Sequence, residues 1–220
     1  MMNFDIKRQE SYSRGELLLR ALFGWIYILI PHYFVLLVYS IGAYFYTLWT
    51  FFSILFTRKF PEDAHNFFVK VSRYTLRLGS SLYNLRDGYP SFSLSHEDEG
   101  ITFDMPYRPE IKRRVLLGRH IFAIFLLIPH IFVLYIKLIA FMFVNFIAFW
   151  AVLFTGSFPQ GMFNYQVGTL RYLQRVGNYF QFYTEGYPPF HGRVLPGENQ
   201  GVDSNEGSAE DHLVDSSETE

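Results

Sequence analysis

Residues 115–154 read VLLGRHIFAIFLLIPHIFVLYIKLIAFMFVNFIAFWAVLF and hold only two full charges, Arg119 and Lys137. Residues 17–56, LLLRALFGWIYILIPHYFVLLVYSIGAYFYTLWTFFSILF, hold one, Arg20. A helix crosses the hydrocarbon of a bilayer in roughly 20 apolar residues, so each stretch carries material for about two crossings. The stretches are also copies of one another. Ile30-Pro31-His32 recurs as Ile128-Pro129-His130, Phe60-Pro61 as Phe158-Pro159, and Gly88-Tyr89-Pro90 as Gly186-Tyr187-Pro188, each at an offset of 98 with no gap. Apolar core and polar flank repeat together, which predicts one duplicated membrane-folding unit rather than a soluble domain with an anchor. The expected boundaries are a polar leader over 1–13, repeats over 14–93 and 112–192, a linker over 94–111 and an acidic tail over 193–220.

With 50% apolar and 20% aromatic residues in 220 positions, the chain is too apolar for an ordinary soluble domain. A cleavable signal is not expected, because the first apolar stretch follows the polar MMNFDIKRQESYSRGE and is far too long for such a core. The chain has no cysteine, which excludes disulfides, thiolate nucleophiles and cysteine-based metal sites. Residues 194–220 contain eight acids and no Lys or Arg; since the whole chain is −1, residues 1–193 sum to +7. The tail has almost no aromatic residues and too little apolar surface to fold alone, so it is expected to be disordered.

Basic residues flank the apolar stretches on every side: Lys7, Arg8 and Arg14 before the first, ten between the two, and Arg171, Arg175 and Arg193 after the second. Lys and Arg favour the cytoplasmic face. A single crossing per repeat puts the central ten opposite both termini; a helical hairpin per repeat puts all three basic regions on one side. The expected fold is therefore an all-α integral membrane protein with four membrane segments and cytoplasmic termini. Turns are expected near residues 39–43 and 137–141, with Pro31 and Pro129 kinking the first arm of each hairpin. A second copied element, 62–85 and 160–183, opens after Pro61 and Pro159 as a helix. Its Arg73 and Arg77, like Arg171 and Arg175, are four apart and share a face. Such a basic, aromatic-rich helix is expected to lie at the lipid interface, with Arg73, Arg77, Arg171, Arg175, Tyr89 and Tyr187 binding an anionic lipid, an acidic partner or bulk lipid phosphate. It closes in GYPSF or GYPPF, where Tyr89 and Tyr187 precede proline and end it.

These motifs resemble a bacterial membrane-protein family known only as domain of unknown function 4389. Repeat two carries its pattern in IPH (128–130), LFTG (153–156), FP (158–159), VGTLRYLQR (167–175) and GYPPF (186–190). Repeat one departs from it with LFTR (55–58), VKVSRYTLR (69–77) and GYPSF (88–92). The resemblance covers residues 14–92 and 112–190. It implies a multi-pass protein of the bacterial inner membrane and brings no activity with it.

Three readings stand for His32 and His130: a structural donor near the carbonyl that each proline frees, a pair meeting at a pseudo-twofold axis, or metal ligands. No two of the seven histidines lie three or four apart, and neither apolar stretch holds a carboxylate, so a standard zinc or di-iron set is not expected. Lys137 and Asn145 replace Tyr39 and Thr47 of repeat one; snorkelling and an interhelical hydrogen bond are the expected roles, a transport site the sharper one. No phosphate loop, dinucleotide fingerprint, nucleophile elbow or catalytic carboxylate pair is present, and no nucleic-acid motif accompanies the basic residues. The sequence thus predicts a non-enzymatic membrane protein without metal or cofactor, an accessory or lipid-organising scaffold. Its expected partners are anionic lipid, other membrane proteins or a second copy. The alternative is a small transporter or channel component with a path along His32, His130, Lys137 and Asn145.

Overall fold

The computed structural model describes residues 2–182, 184 and 186–198; the disorder expected of 199–220 lies outside the described residues. Strand β1 (Asn3–Ile6) is followed by helix α1 (Arg14–Gly24), a π-helical turn (Trp25–Leu29), α2 (Ile30–Thr57) and α3 (Glu62–Leu82). Strand β2 (Ile101–Asp104) and helices α4 (Arg113–Thr155) and α5 (Gln160–Phe180) repeat the order.

The hairpins expected in the apolar stretches do not form. Arg14–Thr57 and Arg113–Thr155 are each an unbroken helical run, 44 and 43 residues long, apolar enough to cross a membrane. Each is about 65 Å long at 1.5 Å per residue, roughly twice the hydrocarbon thickness of a bilayer. Neither expected turn site carries a stop signal stronger than Gly42, and one glycine inside a helix costs only about 1 kcal/mol. A turn there would strand several backbone groups in apolar surroundings at a greater cost. Gly42 serves packing instead, since an added Cβ would stand 3.0 Å from the Phe67 ring.

Both runs end where the helix must. Arg58 (φ 62°) and Gly156 (φ 71°), at equivalent positions, are left-handed C-caps whose N–H groups return to Ile54 and Val152. After Pro61 and Pro159, α3 and α5 turn back along the long helices, where Phe67 stacks on Tyr46 and Tyr165 donates to the Lys137 carbonyl.

The two halves exchange equivalent contacts. Arg14 donates to the Phe154 carbonyl, and Arg113 to that of Phe56. The Tyr12 N–H bonds the Gly156 carbonyl, and the Ile111 N–H that of Arg58. Each long helix therefore starts beside the other's end, and the pair is antiparallel. Two antiparallel helices that exchange under a twofold rotation require its axis to stand perpendicular to the plane containing both.

Leader and linker belong to this exchange rather than lying outside the repeats. β1 and β2 pair antiparallel with Phe4 opposite Phe103, Asn3 opposite Asp104 and Asp5 opposite Thr102. Phe4-Asp5 and Phe103-Asp104 are copies at an offset of 99, so the strand pair is centred on equivalent residues. Leu17 and Leu116, like Arg20 and Arg119, are buried partners at the same offset of 99. Downstream of the prolines the offset is 98, so repeat one carries one extra residue. The π-helical turn absorbs it, because widening one turn admits a residue without rotating the flanking helix out of phase. The gapless alignment expected from the motifs thus holds only from IPH onward.

The long helices bury one stripe each. In α4 it comprises Leu116, Arg119, His130, Phe141, Ala148 and Val152, which recur on a single helical face. The remaining circumference is apolar and open: nineteen large apolar side chains on Arg14–Thr57 and eighteen on Arg113–Thr155 are exposed. If each leaves on the order of 100 Å² uncovered, half an aromatic side chain, the total is on the order of 4,000 Å², several times the largest apolar patch of a typical soluble monomer. The core lies on the other side, where Phe4, Phe60, Ala64, Leu116 and Phe158 join strands, helix ends and the buried faces of α3 and α5.

Candidate functional site

The copied motifs converge into two matching clusters. In the first, Nδ1 of His32 and the Tyr74 hydroxyl share a hydrogen bond of 2.5 Å, and Phe92 stacks on the imidazole at 4.3 Å between centroids. In the second, His130 meets Tyr172 at 2.6 Å and Phe190 stacks at 4.7 Å. Both imidazoles are fully buried. Burial pushes the Tyr74 and Tyr172 hydroxyls up to about 12, so both stay neutral.

Tyr89 donates to the Tyr27 carbonyl at 3.1 Å, the group that Pro31 deprives of its helical donor; Tyr187 donates to the Leu126 carbonyl at 2.9 Å, in the turn before Pro129. The tyrosine of each closing motif thus bonds a carbonyl in the turn before the proline, while each histidine's Nδ1 is taken by a tyrosine. Each histidine bonds within its own repeat. Among the described residues no contact joins His32 to His130, and no three His, Cys, Asp or Glu gather as a metal set.

Of the four arginines expected at lipid phosphates or a partner, Arg77, Arg171 and Arg175 are buried and Arg73 is partly exposed, and all four donate to backbone carbonyls. Arg77, 4% exposed, donates to the carbonyls of Ser93 and His96. Arg175 donates to those of His191 and Arg193 and holds Glu198 through two bonds of 3.1 and 2.5 Å. Arg73 and Arg171 cross to the strands of the opposite half: Arg73 Nε donates to Phe103 at 2.7 Å, and Arg171 to Phe4 at 3.2 Å. A guanidinium offers five donors in a rigid fork, and here loop and strand carbonyls take them. Arg175 also corrects the tail boundary, because its pair with buried Glu198 draws residues 194–198 into the folded body.

Lys137 borders the His130 cluster only through the Tyr172 ring, and Asn145 bonds elsewhere. Asn145 accepts a 3.4 Å hydrogen bond from Gln166. Lys137 sits in the middle of α4, its Nζ 5.6 and 6.0 Å from the Tyr172 and Tyr165 ring centres. It lines a groove of about 1270 Å³ between α4, α5 and the arm that follows β1. Lys7, Arg8, Arg171 and Arg193 share that groove with a single acid, Asp5. Sequence reasoning passed over this gathering, since the arm and the closing loop that build it lie at opposite ends of the chain.

Fold and clusters together define a duplicated helical protein with an apolar belt and a hydrogen-bonded polar layer. The chain matches Domain of unknown function (DUF4389) over residues 15–93 and 118–191, and it belongs to that family, in two tandem copies. No match was found among curated proteins or among solved structures.

Proposed function

We propose that the protein is a non-enzymatic membrane scaffold that seats its apolar belt in one leaflet, with both long helices parallel to the bilayer plane and the polar layer in the cytoplasm. The observation that carries this is the unbroken apolar face of two antiparallel 65 Å helices, opposite a polar layer that follows them along their length. Upright helices would place the twofold axis in the membrane plane and hold Asp5, Asp104 and Arg73 beside the hydrocarbon. Each such charge costs several kcal/mol there. Lying flat, the same helices put the charged polar layer on the water side and their exposed Phe, Ile and Leu in lipid, with Arg114 on the apolar face only at the first turn of α4. The buried histidines and arginines then act as fasteners for the polar layer. Lipid organisation and the seating of partner proteins are the roles such a platform supports.

The cysteine-free chain makes the test direct. Single cysteines replacing Ser13, Arg58 and Ser157 should all react with a membrane-impermeant maleimide from the cytoplasmic face of inverted vesicles. Ser13 and Arg58 stand at opposite ends of one apolar helix, so labelling from opposite faces would establish a crossing and overturn the proposal.

A further inference from the structure

The groove beside Lys137 has no equal in the other half. Its repeat-one counterpart, at about 360 Å³, is lined by Arg73 and Arg77 but also by Glu97, Asp98 and Asp104. There Arg73 pairs with Asp104 at 3.5 Å and spends its Nε on Phe103. In repeat two the counterpart Arg171 reaches the strand through a terminal nitrogen, and among the described residues its Nε has no hydrogen-bond partner although the residue is only 7% exposed. Tyr39 of repeat one becomes Lys137, and Lys70 becomes Gly168, whose bare backbone lets Gly192 approach: a Cβ on Gly192 would stand 1.7 Å from the Gly168 carbonyl. The duplication has thus diverged toward a wider, basic groove.

We infer that this groove binds a phosphate-bearing anion, with Arg171 in its lining and Lys137, Lys7 and Arg193 as its cationic rim. Lys137 stands on α4 between exposed Ile136 and Leu138, so a phosphate held there lies at the edge of the apolar belt, where an anionic lipid presents its headgroup. A soluble phosphoester offers the same chemistry. The lipid source rests on the membrane seating proposed above; the anion site itself does not.

The full chain in detergent is titrated with glycerol 3-phosphate by calorimetry, and separately floated with vesicles of phosphatidylcholine alone or mixed with phosphatidylglycerol. The site predicts about tenfold tighter binding to the mixed vesicles, saturable binding of glycerol 3-phosphate, or both. Lys137→Met with Arg193→Gln should abolish that preference or saturation while leaving attachment to neutral vesicles intact. Lys7→Gln with Arg193→Gln, both at exposed positions, is the second variant pair and should weaken the anion response in the same direction. Glycerol 3-phosphate binding without vesicle preference identifies a soluble ligand; vesicle preference alone identifies the headgroup. A wild type that responds to neither anion, or folded variants that respond as the wild type does, overturns the site. A wild type that floats with no vesicle at all overturns the membrane seating, and the titration still decides the site.

Discussion

Arg175 shows what a single side chain does for this fold. It joins His191, Arg193 and Glu198 to α5, and Glu198 is itself bonded to the Leu195 N–H at 2.9 Å. Glu198→Gln leaves a buried guanidinium without its counter-charge, a loss of about 3 kcal/mol for a buried pair, seen as a lower thermal midpoint in detergent and faster proteolysis after Gly192. An unchanged midpoint would mean that the two carbonyls alone hold Arg175. His65 gives a pH-dependent counterpart. Burial lowers its pKa from 6.5, opposed by its bond to the Met105 carbonyl and by Asp104 and Glu62. As pH falls through 6.5 the unfolded chain takes up the proton first, so His65 contributes full stability above that value and progressively less below it. Phe163 occupies the equivalent place in repeat two, and His65→Phe should make the midpoint fall less steeply between about pH 7 and about pH 5. An equal slope in both proteins would exclude the effect. The sequence shows that Arg73 and Arg77 share a face, but not which way that face turns. Their acceptors, residues 93–96 and 103, belong to segments that read as loop and linker, and no local pattern marks a carbonyl as an acceptor.

At the scale of elements, the helices α3 and α5 and their starts after Pro61 and Pro159 were legible because a proline opening and an apolar period are local signals. The continuity of the long helices was not, because charge asymmetry argues only about sides, and a flat helix satisfies it as well as a hairpin does. The extra residue of repeat one hid for a similar reason: IPH aligns at 98 while Leu17 and Arg20 align at 99, and only burial reveals the second register. Deleting exposed Ile26 should convert the π-helical turn to α-helix with Arg20 still reaching Ser81, changing stability by about 1 kcal/mol or less. Deleting Phe125 from α4 instead rotates Arg119 by about 100°, breaks its 2.8 Å bond to the Tyr179 carbonyl and should cost about 3 kcal/mol or more. Equal losses for both deletions would show that the π-helical turn is not the extra residue's place. The C-caps make a finer comparison. Arg58 holds a conformation that glycine adopts freely, so Arg58→Gly should gain about 1 kcal/mol, a rise of about 2–4 °C in thermal midpoint, and Gly156→Arg should lose a similar amount.

For the whole molecule, the fastenings at the strands and helix ends have equivalents in the opposite direction: Phe4 with Phe103, Arg14 with Phe154 against Arg113 with Phe56, Arg73 with β2 against Arg171 with β1. An interface made of such pairs is self-complementary, which is the condition for a twofold homodimer. Neither half is complete alone. Without the other, its strand lacks a partner, the Arg14 or Arg113 fork has no helix end to cap, and the C-terminal carbonyls of its long helix face solvent or lipid. A chain of residues 99–220, produced by itself in detergent, should therefore assemble as a dimer in which two copies of β2 pair across Phe103, with each Arg113 on the Phe154 carbonyl of the other copy. Co-produced with residues 1–98, it should instead pair mainly with that partner, because Ser72 and Gln174 bond at 3.0 Å between unlike positions and Tyr83 packs edge-on against Phe141 at 4.7 Å. Light scattering and a crosslink at Phe103→Cys read the first outcome, and affinity capture of the tagged first half reads the second. A half that is folded and monomeric would mean that the exchanged arms ornament two independent units, and that the fold does not depend on their union.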